Sequence, residues 1–144
     1  LQQAVLSPET VAKLRARDKV GLVDLSTSFL DITPSSDDQV FAGFVEALLQ
    51  DDGVDCVFVA AVPHANALKT GPDTCHDPDS MANLVSALAA RYQKPVVVSV
   101  NGGDYYKEFT HVFELGGLPV YSDIRSAMKA LDTFIAYRTG GRLE

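Results

Sequence analysis

The side chains of this sequence best suited to chemistry fall in three stretches. Asp31, Thr33 and Ser35 stand in the first, His64, Asn66, Asp73, Cys75, His76 and Asp77 in the second, and Asn101-Gly102-Gly103 forms the third. Imidazoles, carboxylates and a thiol near one another can ligate a metal. However, His64, Asp73, Cys75, His76 and Asp77 match no standard zinc spacing, and acid-rich loops commonly solvate and cap. Asn101-Gly102-Gly103 offers another chemistry, because glycines ahead of a helix let backbone N–H groups approach an anion. The plainer reading of a bare glycine pair is a tight strand-to-helix turn, and the Asp104 that follows opposes an anion. Ser26, Thr27 and Ser28 lack the glycine elbow of a hydrolase nucleophile, so their hydroxyls read as caps and turns. His111 falls inside a helical pattern and needs no role.

The elements that must position these residues follow from pattern and punctuation. Ser7-Pro8-Glu9 opens a helix that carries Val11 and Leu14 inward and ends near Arg17. Residues 20–25 are a short apolar run, expected as the first strand, and 26–36 is a long loop. Ser36 or Asp37 caps an amphipathic helix with Val40, Phe41, Phe44, Val45, Leu48 and Leu49 on one face. Residues 55–62 do not alternate, which predicts a strand buried on both sides. After the long loop 63–77, Pro78-Asp79-Ser80 opens a helix with Met81, Leu84, Val85, Leu88 and Tyr92 inward. Residues 96–100 form the next strand, and a helix runs from Asp104 to about Leu115, where Gly116-Gly117 stops it. Residues 118–121 give the last strand. Ser122 or Asp123 caps a final helix with Ile124, Ala127, Met128, Leu131 and Ile135 on the core.

Strands alternating with helices predict an α/β fold, a flavodoxin-like three-layer sandwich with a central parallel sheet of about four strands. Ligands of such sheets bind outside the carboxyl ends of the strands. Loops 26–36, 63–77 and 101–103 leave from that edge, and among them stand no Arg and only Lys69. A polyanion there would be held by backbone N–H groups and helix starts.

A length of 144 residues is one domain's worth of chain, with 47% hydrophobic and 22% charged residues. A net charge of −7 with dispersed Lys and Arg argues against a nucleic-acid partner. No apolar window approaches a membrane span, and no leader pattern is visible, so a cytoplasmic setting is the expectation. A reduced compartment fits both cysteines: Cys56 reads as a small core residue, and Cys75, in a polar loop, is expected to be exposed. The expected organisation is a lead-in helix and linker over 1–19, the main domain over 20–138, and a tail over 139–144 whose last two residues read as a vector-derived scar.

A flavin site wants a glycine- and hydroxyl-rich loop running straight into a helix, whereas the loop after 20–25 lacks Gly and is about a dozen residues long. A phospho-receiver domain wants acids after its first strand and a Lys after a late one. Asp24 is available, but Pro63-His64 and Asn101-Gly102 stand where the other groups would be.

The order of segments resembles the flavodoxin-like ligase–CoA domain of the acyl-CoA synthetases of the nucleoside-diphosphate-forming type, related to succinyl-CoA synthetase. The residues that carry the resemblance are Leu6-Ser7-Pro8-Glu9-Thr10 with Leu14, Phe29-Leu30-Asp31-Ile32-Thr33, the stretch 51–58, Lys94-Pro95-Val96, Gly102-Gly103 and Gly117-Leu118-Pro119-Val120-Tyr121. The loop keeps the Asp and Thr typical of the family but lacks the Asn-Pro that precedes them there. The resemblance implies a fragment of an enzyme that interconverts acyl-CoA, ADP and phosphate with free acid, CoA and ATP through acyl phosphate and phosphohistidine. It implies that CoA, ATP/ADP and Mg serve the full enzyme and that none is bound by this domain alone. The implied partners are a CoA-binding/phosphohistidine domain and an ATP-grasp domain, in the same chain or a partner subunit. The catalytic histidine would lie on the former, and His64 does not take that part. Asp31, Thr33, Pro63, His64, Gly102 and Gly103 are the residues implied to frame the phosphoryl site. A domain of the same fold that binds or scaffolds without catalysis is the alternative.

Overall fold

The computed structural model describes residues 1–34 and 36–140. Ser35 and the scar at 143–144 therefore lie outside the described residues. Helix α1 (Pro8–Arg17) is capped by the Ser7 side chain, which accepts the Thr10 N–H, with Pro8 in the first turn. Helix α2 (Asp38–Gln50) is capped by Asp37 through the Val40 N–H. Strand β1 (Val57–Ala61) follows, then α3 (Met81–Tyr92), capped by Ser80, and β2 (Val96–Val100). A single 3-10 turn over Asp104–Tyr106 leads into α4 (Lys107–Leu115), and β3 (Val120–Tyr121) precedes α5 (Ile124–Arg138), capped by Asp123.

The sheet is parallel with order β1-β2-β3, in register Val57–Val96 and Val98–Val120. Its main core lies against α2, α3 and α4, where Val45, Leu49, Val85, Phe109 and Phe113 meet Val57, Val59 and Val98. On the opposite face α5 sets Ala127 and Leu131 against Val97. Helices on both faces of a parallel sheet make this a flavodoxin-like α/β sandwich. A third cluster, Leu14, Phe44 and Ala47, joins α1 to α2 and to the loop residues Val23, Leu25, Leu30 and Ile32.

Four expectations are corrected. Residues 20–25 are not a strand, so the sheet has three strands and not about four. The neighbouring acids fold that stretch into turns: the Asp18 carboxylate accepts the N–H groups of Gly21 and Val23 at 2.8 and 2.9 Å, and Asp24 accepts the Ser26 N–H at 2.9 Å. Gly21, at φ 72°, takes a left-handed turn that an apolar strand would not contain. Val23 and Leu25 still pack inward, while Val20 and Leu22 stay exposed.

Second, β1 is not buried on both sides. Val57, Val59 and Ala61 are buried, Phe58 is half-buried and Ala60 is exposed. Only one helix, α5, covers that face, and of the residues leading into and forming β1 it packs on Cys56 and Phe58. Among the described residues, the strand buried throughout is the central one, β2. Third, Ile124 stays 54% exposed, because it lies in the first turn of α5, in the connection from the two-residue β3. Fourth, Cys75 is buried, not exposed. Its loop winds back on itself, with the Cys75 N–H donating to Gly71 O at 2.9 Å and the Ser80 hydroxyl to Cys75 O at 2.8 Å. That turn places the thiol in the main core.

Candidate functional site

At the carboxyl ends of the strands, β1 runs out through Val62 into Pro63 and His64, and β2 runs out into Asn101, Gly102 and Gly103. The two exits are tied by a bond from Asn101 N–H to Ala61 O at 3.5 Å. Pro63 is fully buried, and its carbonyl accepts the Thr70 hydroxyl at 2.7 Å. A Cβ on Gly102 would lie 2.4 Å from Pro63 Cγ and 2.7 Å from Tyr106 Cδ2. Only glycine lets the two exits approach so closely. Gly103 has φ 69°, ψ −170°, a backbone state open to glycine.

The exposed His64 ring lies 5.1 Å from the Tyr106 ring, which in turn meets Tyr105 edge-on at 5.0 Å. Pro63, His64, Gly102 and Gly103 thus come together, with Tyr105 and Tyr106 beside them. The tyrosines were not singled out in the sequence, though their place directly after the glycine pair and Asp104 was the available signal.

Asp31 and Thr33 stand on a separate loop. The Asp31 carboxylate accepts the Thr33 N–H at 3.0 Å, and Thr33 adopts a left-handed φ of 67°. Leu30 and Ile32 anchor this loop to the α1–α2 cluster. The connection to the other four residues runs through Asp38, a buried carboxylate in the first turn of α2. Asp38 accepts the Lys69 N–H at 3.1 Å and the Met81 N–H at 2.6 Å. It therefore pins loop 63–80 and the start of α3 to the start of α2. The sequence shows consecutive acids at 37 and 38; one caps the helix, and the second is free for such a tie.

The charge at this edge is mostly negative. Lys69 Nζ is engaged by Asp77 at 3.0 Å and Asp79 at 2.6 Å, which raises its pKa and lowers that of Asp79. His76 pairs with Glu108 at 3.4 Å, and Lys107 with Asp104 at 3.1 Å. The side chains considered as a metal cluster are thus drawn into separate contacts, and among the described residues no group of three or more His, Cys, Asp or Glu gathers to hold a metal. Burial pushes the Cys75 thiol up, and burial followed by the Asp55 charge does the same to Cys56. Neither thiol is poised as a nucleophile. At Gly103 and the helix start beyond it, where no side chain caps, the edge offers backbone N–H groups to an anion. A groove of about 390 Å³ lies elsewhere, between the outer sides of α2 and α3.

No protein-family model matches the chain, and no curated protein matches it in sequence. Solved structures do share its fold. The dinucleotide forming acetyl-coenzyme A synthetase 1 of Ca. Korarchaeum cryptofilum, in its apo form, superposes with a TM-score of 0.73 at 18% identity over 93% of this chain. PH0766 from Pyrococcus horikoshii OT3 superposes with a TM-score of 0.68 at 20% identity over 83%. The match spans 28% and 26% of those chains respectively, about a quarter of their length.

Proposed function

We propose that this chain is the flavodoxin-like ligase–CoA module of an acyl-CoA synthetase of the nucleoside-diphosphate-forming type. The observation that carries this reading is the superposition on the acetyl-coenzyme A synthetase over 93% of the chain while spanning 28% of that protein. The order of sequence motifs, read independently, leads to the same family. The full enzyme would interconvert acyl-CoA, ADP and phosphate with acid, CoA and ATP, through acyl phosphate and phosphohistidine.

In this reading the module supports the phosphoryl site without holding the reactants. His64, Gly102 and Gly103 form the surface presented to the phosphohistidine domain, with the buried Pro63 holding them from beneath, and Asp31 and Thr33 flank it. Lys69 is already taken by two carboxylates, which supports assigning nucleotide, CoA and Mg to the CoA-binding and ATP-grasp domains. The chemistry those groups supply is phosphoryl transfer and thioester formation. This chain's own residues position backbone N–H groups and exclude water.

The test is an assay of acid- and CoA-dependent ATP consumption. The complete gene product, with its partner subunit where one is encoded, is expected to turn over, and the 144-residue chain is expected to be inactive alone. Turnover by the isolated chain, or a complete gene product without CoA-binding and ATP-grasp segments in it or beside it, would overturn the proposal. A second reading, a binding domain that kept the fold, is favoured by one observation: Phe29, in place of the family's Asn-Pro, exposes 73% of its surface. An inactive but complete synthetase would select it.

A further inference from the structure

We infer that the groove between α2 and α3 binds a small organic carboxylate: Arg17 and Arg91 take the anionic head, and an apolar body lies along the helix wall. Arg17 reaches the groove from the last turn of α1 by lying across α2 at Gly43, where a Cβ would stand 2.6 Å from its Nε and 2.9 Å from its Cδ. Glycine inside a helix is less favourable than alanine. At this position the missing side chain serves the passage of one guanidinium.

Arg91 enters from the last turn of α3, and Glu46 lies between the two, with Oε2 4.0 Å from Arg17 Nη2 and Oε1 3.5 Å from Arg91 Nη1. Both distances exceed the roughly 2.7–2.9 Å of a tight guanidinium–carboxylate bond. Glu46 Oε1 is already accepting the Tyr92 hydroxyl at 2.9 Å. Arg17 Nη1 also donates to Lys13 O at 3.3 Å, and the Arg91 guanidinium lies over the Tyr92 ring, 5.2 Å from its centroid. These contacts orient the two forks and leave their outward N–H groups to meet a ligand.

Two guanidinium groups and one carboxylate leave one positive charge in a chain whose net charge is −7. A monoanion matches that excess, whereas a dianionic phosphate would also meet Glu46. Leu84 and Leu88 supply the apolar wall. The groove, about 390 Å³ and open to solvent along one side, has room for a small ligand whose outer part stays in water.

The test is an NMR titration of the 144-residue chain, following the Nε–H signals of Arg17 and Arg91 and the Gly43 amide, with hexanoate, hexan-1-ol and inorganic phosphate as probes. Hexanoate is expected to shift all three signals saturably, hexanol to leave them unmoved, and phosphate to bind more weakly. Arg17→Lys and Arg91→Lys keep the helix-end charge but remove the fork, and each is expected to weaken hexanoate about tenfold with an unchanged melting temperature. Glu46→Gln is expected to tighten it several-fold. No saturable shift with hexanoate, an equal response to hexanol, tighter phosphate binding, or undiminished affinity in the Arg17→Lys/Arg91→Lys double variant would each overturn the inference.

Discussion

Gly102 and Pro63 are in such close contact that the smallest side chain at 102 would overlap the proline ring, with a Cβ–Cγ distance of 2.4 Å. The carboxyl ends of β1 and β2 are thereby joined through a position where only hydrogen fits. Gly103, one residue on, has open space around a Cβ but a φ of 69°. Adjacent glycines are thus required for different physical reasons.

That difference is measurable. Gly102→Ala must move Pro63 or Tyr106 and is expected to destabilise by about 1–3 kcal/mol, with shifts in the His64 and Tyr106 ring signals. Gly103→Ala bears only the cost of a positive-φ, extended-ψ backbone state essentially reserved for glycine, about 1–3 kcal/mol, and should leave those rings in place. Thermal melts with aromatic NMR on both variants check this; equal ring perturbation by the two would contradict the close-packing account.

Asp38 makes a second separable contribution. Its carboxylate satisfies the N–H groups of Lys69 and Met81 from within the fold. Asp38→Ala leaves both donors unpaired, at about 1–3 kcal/mol for each buried group. Hydrogen exchange should speed up at the amides of Lys69 and Met81 beyond the change seen across β2. Uniform acceleration over the whole chain would show that Asp38 acts on global stability and not on the loop.

Much of this architecture could be read from the residues, and the failures share a cause. β2 was legible because five apolar or small residues follow Lys94-Pro95 and all are buried. Capping is local chemistry, so the Ser7 cap was legible outright, Asp37 and Asp123 each as one of two neighbouring candidates, and Ser80 as part of a helix opening. The stretch 20–25 misled because its apolar side chains do pack inward, at Val23 and Leu25, while Asp18 claims the N–H groups of Gly21 and Val23 and Asp24 turns the chain at Ser26. β1 misled because a continuous apolar run does not reveal how many helices will cover it. At the site, the glycine loop and Val62-Pro63-His64 were found in sequence because exits of strands are predictable. The Asp38 tie and the His64–Tyr106 contact bridge residues more than thirty positions apart, and no local pattern encodes them.

The two thiols should separate cleanly by reactivity. Cys56 is half-buried and Cys75 is buried, and burial raises both pKa values. In the folded chain a thiol reagent at pH 8 is expected to label Cys56 slowly and Cys75 only through unfolding. Cys75→Ser should abolish the second phase. Fast labelling of Cys75 in native buffer would place its loop outside the core.

Acid stability should depend on one carboxylate in particular. Burial pushes the Asp51 carboxyl up, but hydrogen bonds from the Ser7 N–H, the Thr10 hydroxyl, the Gly53 N–H and the Ser7 hydroxyl outweigh it and hold it at about 2, against an ordinary 3.8. The bonds from Ser7 N–H and Gly53 N–H measure 2.8 and 2.9 Å, so Asp51 ties the start of α1 to the turn after α2. Because the folded value lies below the unfolded one, the folded state favours the ionised form. Its stabilisation is fully present above about pH 4 and is lost as pH falls toward 2. Allowing for solvent screening, the contribution is about 1–2 kcal/mol. Urea midpoints measured between pH 6 and 2 should fall more steeply below pH 4 for the parent chain than for Asp51→Asn, whose amide does not titrate. Parallel curves for the two proteins would assign the acid sensitivity to other groups.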